Sequence, residues 1–180
     1  MKSYDLTDGK EPVSWAEIDY LEELAATLPP QPLIVNIGAA TGVSTCAFLE
    51  ARPDCVIYSV DVEPCFAEKE NVAACGLDAK RVIRLLGDSV EYGPRFPYPI
   101  DLLFIDGNHW GAGKDLAAWV DTGKVKPGGV IAMHDCMVEP PANNPGSVYA
   151  DMKAWRDANP HFEQLGWVDR VIAFRMPADA

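Results

Sequence analysis

The chain has 180 residues, of which 48% are hydrophobic and 23% charged, a composition that suits one globular domain spanning 1–180. Its formal net charge of −12, with no cluster of Lys and Arg, argues against nucleic acid and anionic membranes as partners and leaves small molecules open. MKSYDLTDGK lacks the apolar core of a signal peptide, no apolar run reaches membrane-span length, and five cysteines without CxxC spacing read as reduced thiols, so a cytoplasmic protein is expected.

The first element is a helix in the segment 12–30. Ser14-Trp15-Ala16-Glu17 forms an S-x-x-E capping box, Ile18, Leu21, Leu24 and Ala25 share one face, and Pro29, Pro30 and Pro32 end the helix. LIVNIGAATGVS, from Leu33 to Ser44, then passes from a buried strand through a glycine turn into a helix near Thr41. Gly38 and Gly42 permit a sharp bend close to a ligand, at the strand end where open α/β sheets bind ligands. Ala40 stands where the dinucleotide fingerprint G-x-G-x-x-G has its second glycine, so a dehydrogenase-like nucleotide binder is disfavoured. By itself the turn is equally an ordinary strand-to-helix connection.

A second strand, Cys55 to Val60, ends at Asp61, 23 positions after Gly38, a spacing at which nucleotide-binding folds place a carboxylate on the ribose. Its bland alternative is a turn or capping carboxylate. Pro64 to Gly76 reads as a helix, and Arg81 to Leu86 as a third strand closed by Gly87-Asp88-Ser89. Tyr92 to Pro99 reads as loop, and Ile100 to Asp106 as a fourth strand ending in Asp106-Gly107-Asn108-His109. Gly111 to Thr122 is predicted helical, Lys126-Pro127-Gly128-Gly129 a tight turn, and Val130 to Met133 a fifth strand ending in His134-Asp135. A polar, Pro-rich loop, EPPANNPGS, lies in a lid candidate at 136–147, and a helix covers Val148 to Asn159. Two last strands, His161 to Leu165 and Val168 to Met176, are joined at Gly166-Trp167 and run antiparallel. The alternation predicts a doubly wound, mostly parallel α/β sheet with its strand ends on one edge.

With these strand ends in place, the chain resembles the class I S-adenosylmethionine-dependent methyltransferases over nearly its whole length. It is most similar to the small O-methyltransferase branch, akin to catechol and macrolide-sugar O-methyltransferases, in IGAATGVST, LLFIDGNHWGAGKDLAAWV, KPGGVIAMHD and PGSVYADMKAW. The resemblance implies a seven-stranded Rossmann-like sheet with an antiparallel last strand. It also implies S-adenosylmethionine held by Asn36, Gly38, Ala39, Gly42, Asp61, Asp88, Ser89 and Asp106. Asp61 would take the ribose, and Asp88 with Ser89 the adenine. Asn36 departs from the family's usual acid, removing a charge near the cofactor's ammonium and sulfonium.

A hydroxyl attacks a sulfonium methyl only as its proton leaves, which a positioned base or a divalent metal can assist. Asp106, His134 and Asp135 offer metal ligands at neighbouring strand ends. Oxygen ligands suit Mg, whereas a ligating His134 shifts preference toward Mn, Fe or Zn. The metal-dependent relatives carry an acid where this chain has His134 and place their general base at the position of His109, three residues after Asp106. The bland alternative has Asp106 and Asp135 capping turns and His109 packing on Trp110. Trp15, Trp110 and Trp155 are candidate pocket walls or core, and Cys136 reads as inert packing. The expected activity is O-methylation of a small-molecule hydroxyl. The rival reading is a non-catalytic S-adenosylmethionine-binding module, which would need neither His109 nor Asp135.

Overall fold

In the computed structural model, residues 1–7, 9, 12–137 and 147–178 are described. The predicted lid therefore lies outside the described residues at 138–146. The strands β1 (Leu33–Ile37), β2 (Val56–Asp61), β3 (Val82–Leu86), β4 (Ile100–Ile105), β5 (Val125–Met133), β6 (Glu163–Val168) and β7 (Val171–Arg175) make one seven-stranded sheet. Its order is β3-β2-β1-β4-β5-β7-β6. The first five strands run parallel, and β7 pairs antiparallel with both β5 and β6. The order reverses between β1 and β4, which opens a crevice at their carboxyl ends.

Period-2 alternation divides the sheet's side chains between two apolar layers. Ile34, Ile57, Leu102 and Val130 face a layer that includes Ile18, Leu21 and Phe48. Val35, Leu103, Ile131 and Ile172 face the opposite layer, with Leu116, Trp119 and Trp155. Helices α1 (Trp15–Ala26), α2 (Val43–Ala51) and α3 (Phe66–Ala74) supply the first layer, and α5 (Ala112–Trp119) and α6 (Val148–Ala158) the second, beside the short α4 (Ser89–Tyr92). Fully burying one such Leu, Ile or Phe side chain contributes about 1.5–3 kcal/mol. None of these helices is long and apolar enough to cross a membrane.

The capping box forms as predicted. Glu17 N–H donates to Ser14 Oγ at 3.2 Å, and Ser14 N–H donates to Glu17 Oε2 at 2.7 Å. Ser14 Oγ also donates to Asp169 Oδ2 at 2.7 Å, tying α1 to the last hairpin. Ser14→Ala should therefore cost about 1 kcal/mol of stability. The check is a lower urea midpoint at unchanged slope, and an unshifted midpoint would show that neither bond contributes.

Three local expectations are corrected. The stretch Tyr92 to Pro99 is partly helical, because α4 ends at Tyr92 and a 3₁₀ turn follows at Gly93–Arg95. Lys126 to Gly129 is a bulge inside β5, where register passes from Ile100↔Val125 to Leu102↔Val130. Gly128 takes the fold there at φ +76°, and a Cβ at Gly129 would lie 2.8 Å from the Val125 side chain. The last hairpin turns at Asp169-Arg170, with Asp169 at φ +48°, and not at Gly166-Trp167. Gly166 lies within β6 because the Tyr20 hydroxyl fills the space its Cβ would take, at 2.7 Å.

Candidate functional site

Two cavities open at the carboxyl edge of the sheet. The smaller, about 430 Å³, is lined by Asp61, Val62, Asp88, Ser89, Asn108 and neighbouring turn residues. The larger, about 840 Å³, is lined by Trp110, His134, Asp135, Met137, Tyr149 and Arg170, among others. Gly38, Ala40, Asp106 and His109 line both, so the two form one trough across the β1–β4 crevice.

The glycine turn sets the floor of the trough. Gly38 stands at φ +83°, its N–H bonded to Val60 O at 2.9 Å, while Asp106 N–H donates to Ile37 O at 2.9 Å. At the smaller end, Asp61 accepts Ala40 N–H at 3.1 Å and Glu63 N–H at 2.9 Å. Those bonds aim a carboxylate into the cavity and leave lone pairs for further donors. Asp88 caps α4 by accepting Val90 N–H at 2.9 Å, and Ser89 Oγ bonds Asp115.

Asn36 and Gly42, expected beside the cofactor, are not among the residues that line the two cavities. Alternation along β1 puts Asn36 on the same face as Ile34, where it is fully buried and donates to Ser44 Oγ at 3.1 Å and Thr45 Oγ1 at 2.9 Å. Thr45 in turn donates to the buried Glu68, which also pairs with Arg84 at 2.7 Å. Gly42 faces that same helix layer, since its Cβ would lie 2.7 Å from Glu68 Cγ. Ala39 lines a separate small cavity beside Cys65 and Glu68.

At the other end, β4 and β5 bring Asp106, His134 and Asp135 together. His134 N–H donates to Ile105 O at 3.0 Å, which fixes the strand ends side by side. His134 Nδ1 lies 3.1 Å from Asp106 Oδ1 and 3.4 Å from Asp135 Oδ1. His109 Nε2 lies 3.0 Å from Asp135 Oδ2, so Asp135 sits between the two rings. Asp135 holds φ +57°, a strained setting for a non-glycine residue and one that recurs at functional sites.

A residue pair absent from the sequence-based expectations completes the cluster. Glu17 is fully buried and its Oε2 lies 3.3 Å from His134 Nε2. Arg170, on the last hairpin, reaches Glu17 Oε1 through Nε at 3.2 Å and Asp135 Oδ1 through Nη1 at 3.5 Å. The capping box pointed to Glu17 only as a helix cap, and misplacing the hairpin turn hid Arg170.

The charges balance locally. Burial opposes a charge on His134, but the Asp106, Asp135 and Glu17 carboxylates around its ring outweigh that and push its pKa up to about 11. Burial likewise works against ionised Glu17, yet His134, the Ser14 amide and Arg170 bring its carboxyl down to about 2. Desolvation raises Asp106 despite the pull of His134, whereas for Asp135 burial is outweighed by His134, His109 and Arg170, and its carboxyl is lowered.

The donor set fits a divalent ion. One ligand atom from each of Asp106, His134 and Asp135 lies within 4.8 Å of the others. His134 is 3% exposed, and its buried Nδ1 lies 3.1 and 3.4 Å from the two carboxylates without a hydrogen bond of good geometry to either. Of the tryptophans, Trp110 borders the larger cavity at 66% exposed, Trp155 is core against Phe162 and Phe174, and Trp15 covers Gly9. Cys136 is fully buried, and burial pushes its thiol up to about 12, in keeping with packing.

The model of a family described as a methyltransferase domain matches residues 35–136, more than half of the chain. No curated protein sequence matches it. Among solved structures, it is similar to the S-adenosylhomocysteine-bound methyltransferase PaMTH1 of Podospora anserina, at 20% identity and TM-score 0.76, covering 94% of this chain and 81% of that one. It is similar to TomG of Streptomyces achromogenes, an O-methyltransferase of tomaymycin synthesis solved with S-adenosylmethionine, at 18% identity and TM-score 0.70, covering 97% and 87%. It is also similar to MycE of the mycinamycin pathway, solved with Mg, S-adenosylhomocysteine and mycinamycin VI, at 19% identity and TM-score 0.70, covering 99% of this chain. The chain spans 56% of MycE and 55% of a matching Nostoc punctiforme protein. At these identities the structural likeness concerns the fold.

Proposed function

The chain belongs to the methyltransferase domain family, and from that premise we propose that it moves the methyl group of S-adenosylmethionine onto a hydroxyl oxygen of a small molecule. The observation that carries this reading is the continuity of the trough, because Gly38, Ala40, Asp106 and His109 line both of its ends. A donor with its nucleoside beside Asp61 and Asp88 would present its other end to His109 and Asp135. S-adenosylmethionine, when bound, supplies an electrophilic methyl on a sulfonium.

In this reading Asp61 holds the ribose, and Asp88 and Ser89 border the base. Gly38 lets the chain pass close beneath the cofactor. His109 is the general base: Asp135 Oδ2, 3.0 Å from Nε2, holds the proton on that nitrogen and orients the ring, which leaves Nδ1 to take the acceptor's proton. Asp106, His134 and Asp135 would hold a divalent ion, which when bound lowers the pKa of the acceptor hydroxyl. MycE was solved with Mg, a relative's precedent for an ion in this fold. The apolar walls from Trp110, Met137 and Tyr149 suit a small organic acceptor, and the acidic balance of the chain suits a neutral or cationic one. Five unpaired cysteines are at home in a reducing cytoplasm.

Calorimetry with S-adenosylhomocysteine tests the nucleoside end. Asp61→Ala should weaken binding by about 10- to 100-fold, the loss of charge-assisted hydrogen bonds of about 1.5–3 kcal/mol. Undiminished binding would remove Asp61 from the site. No binding by the unaltered chain would overturn the cofactor reading.

A further inference from the structure

We infer that Glu17 is a positioning residue for the acceptor end of the site. From the N-terminal helix it fixes the ring of His134 so that Nδ1, and not Nε2, is offered to Asp106 and Asp135. This rests on the reading of that cluster as a metal site and concerns how this chain's own residues prepare it.

Three observations converge. First, Glu17 is a fully buried carboxylate whose place is overdetermined. Oε2 accepts Ser14 N–H at 2.7 Å, Oε1 accepts Arg170 N–H at 2.9 Å, and the Arg170 guanidinium grips both oxygens at 3.2 and 3.3 Å. Second, with those bonds made, Oε2 still faces His134 Nε2 at 3.3 Å, so a proton on that nitrogen has a partner. Third, the other ring nitrogen is buried, lies 3.1 and 3.4 Å from two carboxylate oxygens, and hydrogen-bonds to neither. Nδ1 and the two carboxylate oxygens lie close enough together to share one cation, which on binding would displace the proton from that nitrogen.

Which imidazole nitrogen ligates is set by the hydrogen bond that the other one makes. Glu17 makes that choice here. It also returns, one contact further out, the negative charge that a histidine at position 134 does not supply. The resulting nitrogen-plus-two-carboxylate set selects borderline ions such as Zn²⁺ and Co²⁺ over Mg²⁺, which prefers oxygen. A helix-capping residue more than a hundred positions away in sequence thereby sets ion preference.

The test titrates Co²⁺, Zn²⁺ and Mg²⁺ into the full chain and into Glu17→Gln, Ser14→Ala and His134→Gln, by calorimetry and by the Co²⁺ visible spectrum. The proton NMR spectrum of the Co²⁺ form is recorded in H₂O and D₂O. The unaltered chain should prefer Co²⁺ and Zn²⁺ over Mg²⁺ and show one slowly exchanging, hyperfine-shifted ring N–H. Glu17→Gln keeps the shape of the side chain. It should weaken Co²⁺ and Zn²⁺ by about 10- to 100-fold and speed exchange of that proton. Ser14→Ala loosens the helix cap but leaves the Glu17–His134 contact, so it should lose stability and keep ion affinity.

A folded Glu17→Gln protein with unchanged Co²⁺ affinity, spectrum and N–H exchange would overturn the inference and leave Glu17 a structural anchor. Equal Co²⁺ affinity in His134→Gln would overturn it while the metal reading stands on the aspartates. If the unaltered chain binds none of the three ions, the metal reading itself fails and the inference with it. If Glu17→Gln does not fold, the proton exchange of the unaltered Co²⁺ form decides, and a fast-exchanging N–H overturns the assignment.

Discussion

Gly38→Ala should abolish measurable binding of S-adenosylhomocysteine and cost about 3 kcal/mol or more of folding stability. Two penalties add. At φ +83° a Cβ clashes with its own backbone, which costs roughly 1–2 kcal/mol. The added methyl would also lie 2.1 Å from the Asp106 carbonyl oxygen and 2.8 Å from Gly107 Cα. Both obstacles are backbone, held by the Asp106 N–H to Ile37 O bond, so the ends of β1 and β4 must separate. That separation widens the floor of the trough where the two cavities meet. Gly76→Ala provides the control. Gly76 has a similar φ of +73° with nothing within 4 Å of its added Cβ, so only the first penalty applies there. Urea unfolding and calorimetry on both variants separate the contributions. Equal stability losses together with intact cofactor binding would show that close approach at Gly38 is not what shapes the site.

His109→Ala should slow methyl transfer by about two to four orders of magnitude while leaving S-adenosylhomocysteine affinity within twofold. The ring is more than half exposed and contacts Asp135 through Nε2 at 3.0 Å, so its removal takes away proton acceptance without opening the core. Asp135→Ala should lose divalent-ion binding as well as turnover, because Asp135 is shared between the His109 pair and the cluster with Asp106 and His134. The assay is methyl transfer to a panel of phenols, catechols and sugar hydroxyls, with and without EDTA. Turnover indifferent to EDTA and to Asp135→Ala would leave His109 as a lone base. Turnover indifferent to His109→Ala would discard the base. No turnover on any acceptor, with cofactor binding intact, would favour a binding module.

Much of this architecture is written locally. Apolar runs such as LLFI at 102–105 cannot be satisfied except between two layers, so the parallel strands and their ends follow from side-chain chemistry over a few residues. The acidic and histidine positions at those ends, Asp61, Asp106, His109, His134 and Asp135, are legible for the same reason, since a parallel sheet delivers all its strand ends to one edge. The Ser14–Glu17 cap is likewise a four-residue fact. Tertiary structure decided the rest. Asn36 faces Ser44 and Thr45 because alternation in β1 is phased by which layer takes Ile34, and sequence spacing carries no sign for that choice. Gly166 reads as a turn until Tyr20, 146 positions earlier, occupies its missing side chain, and the true turn at Asp169-Arg170 brings a guanidinium to the site. Glu17 looks complete as a cap. Only the packing of α1 against β5 and the last hairpin shows that the same carboxylate meets His134, because contacts between distant segments depend on the order of strands in the sheet and not on any local pattern.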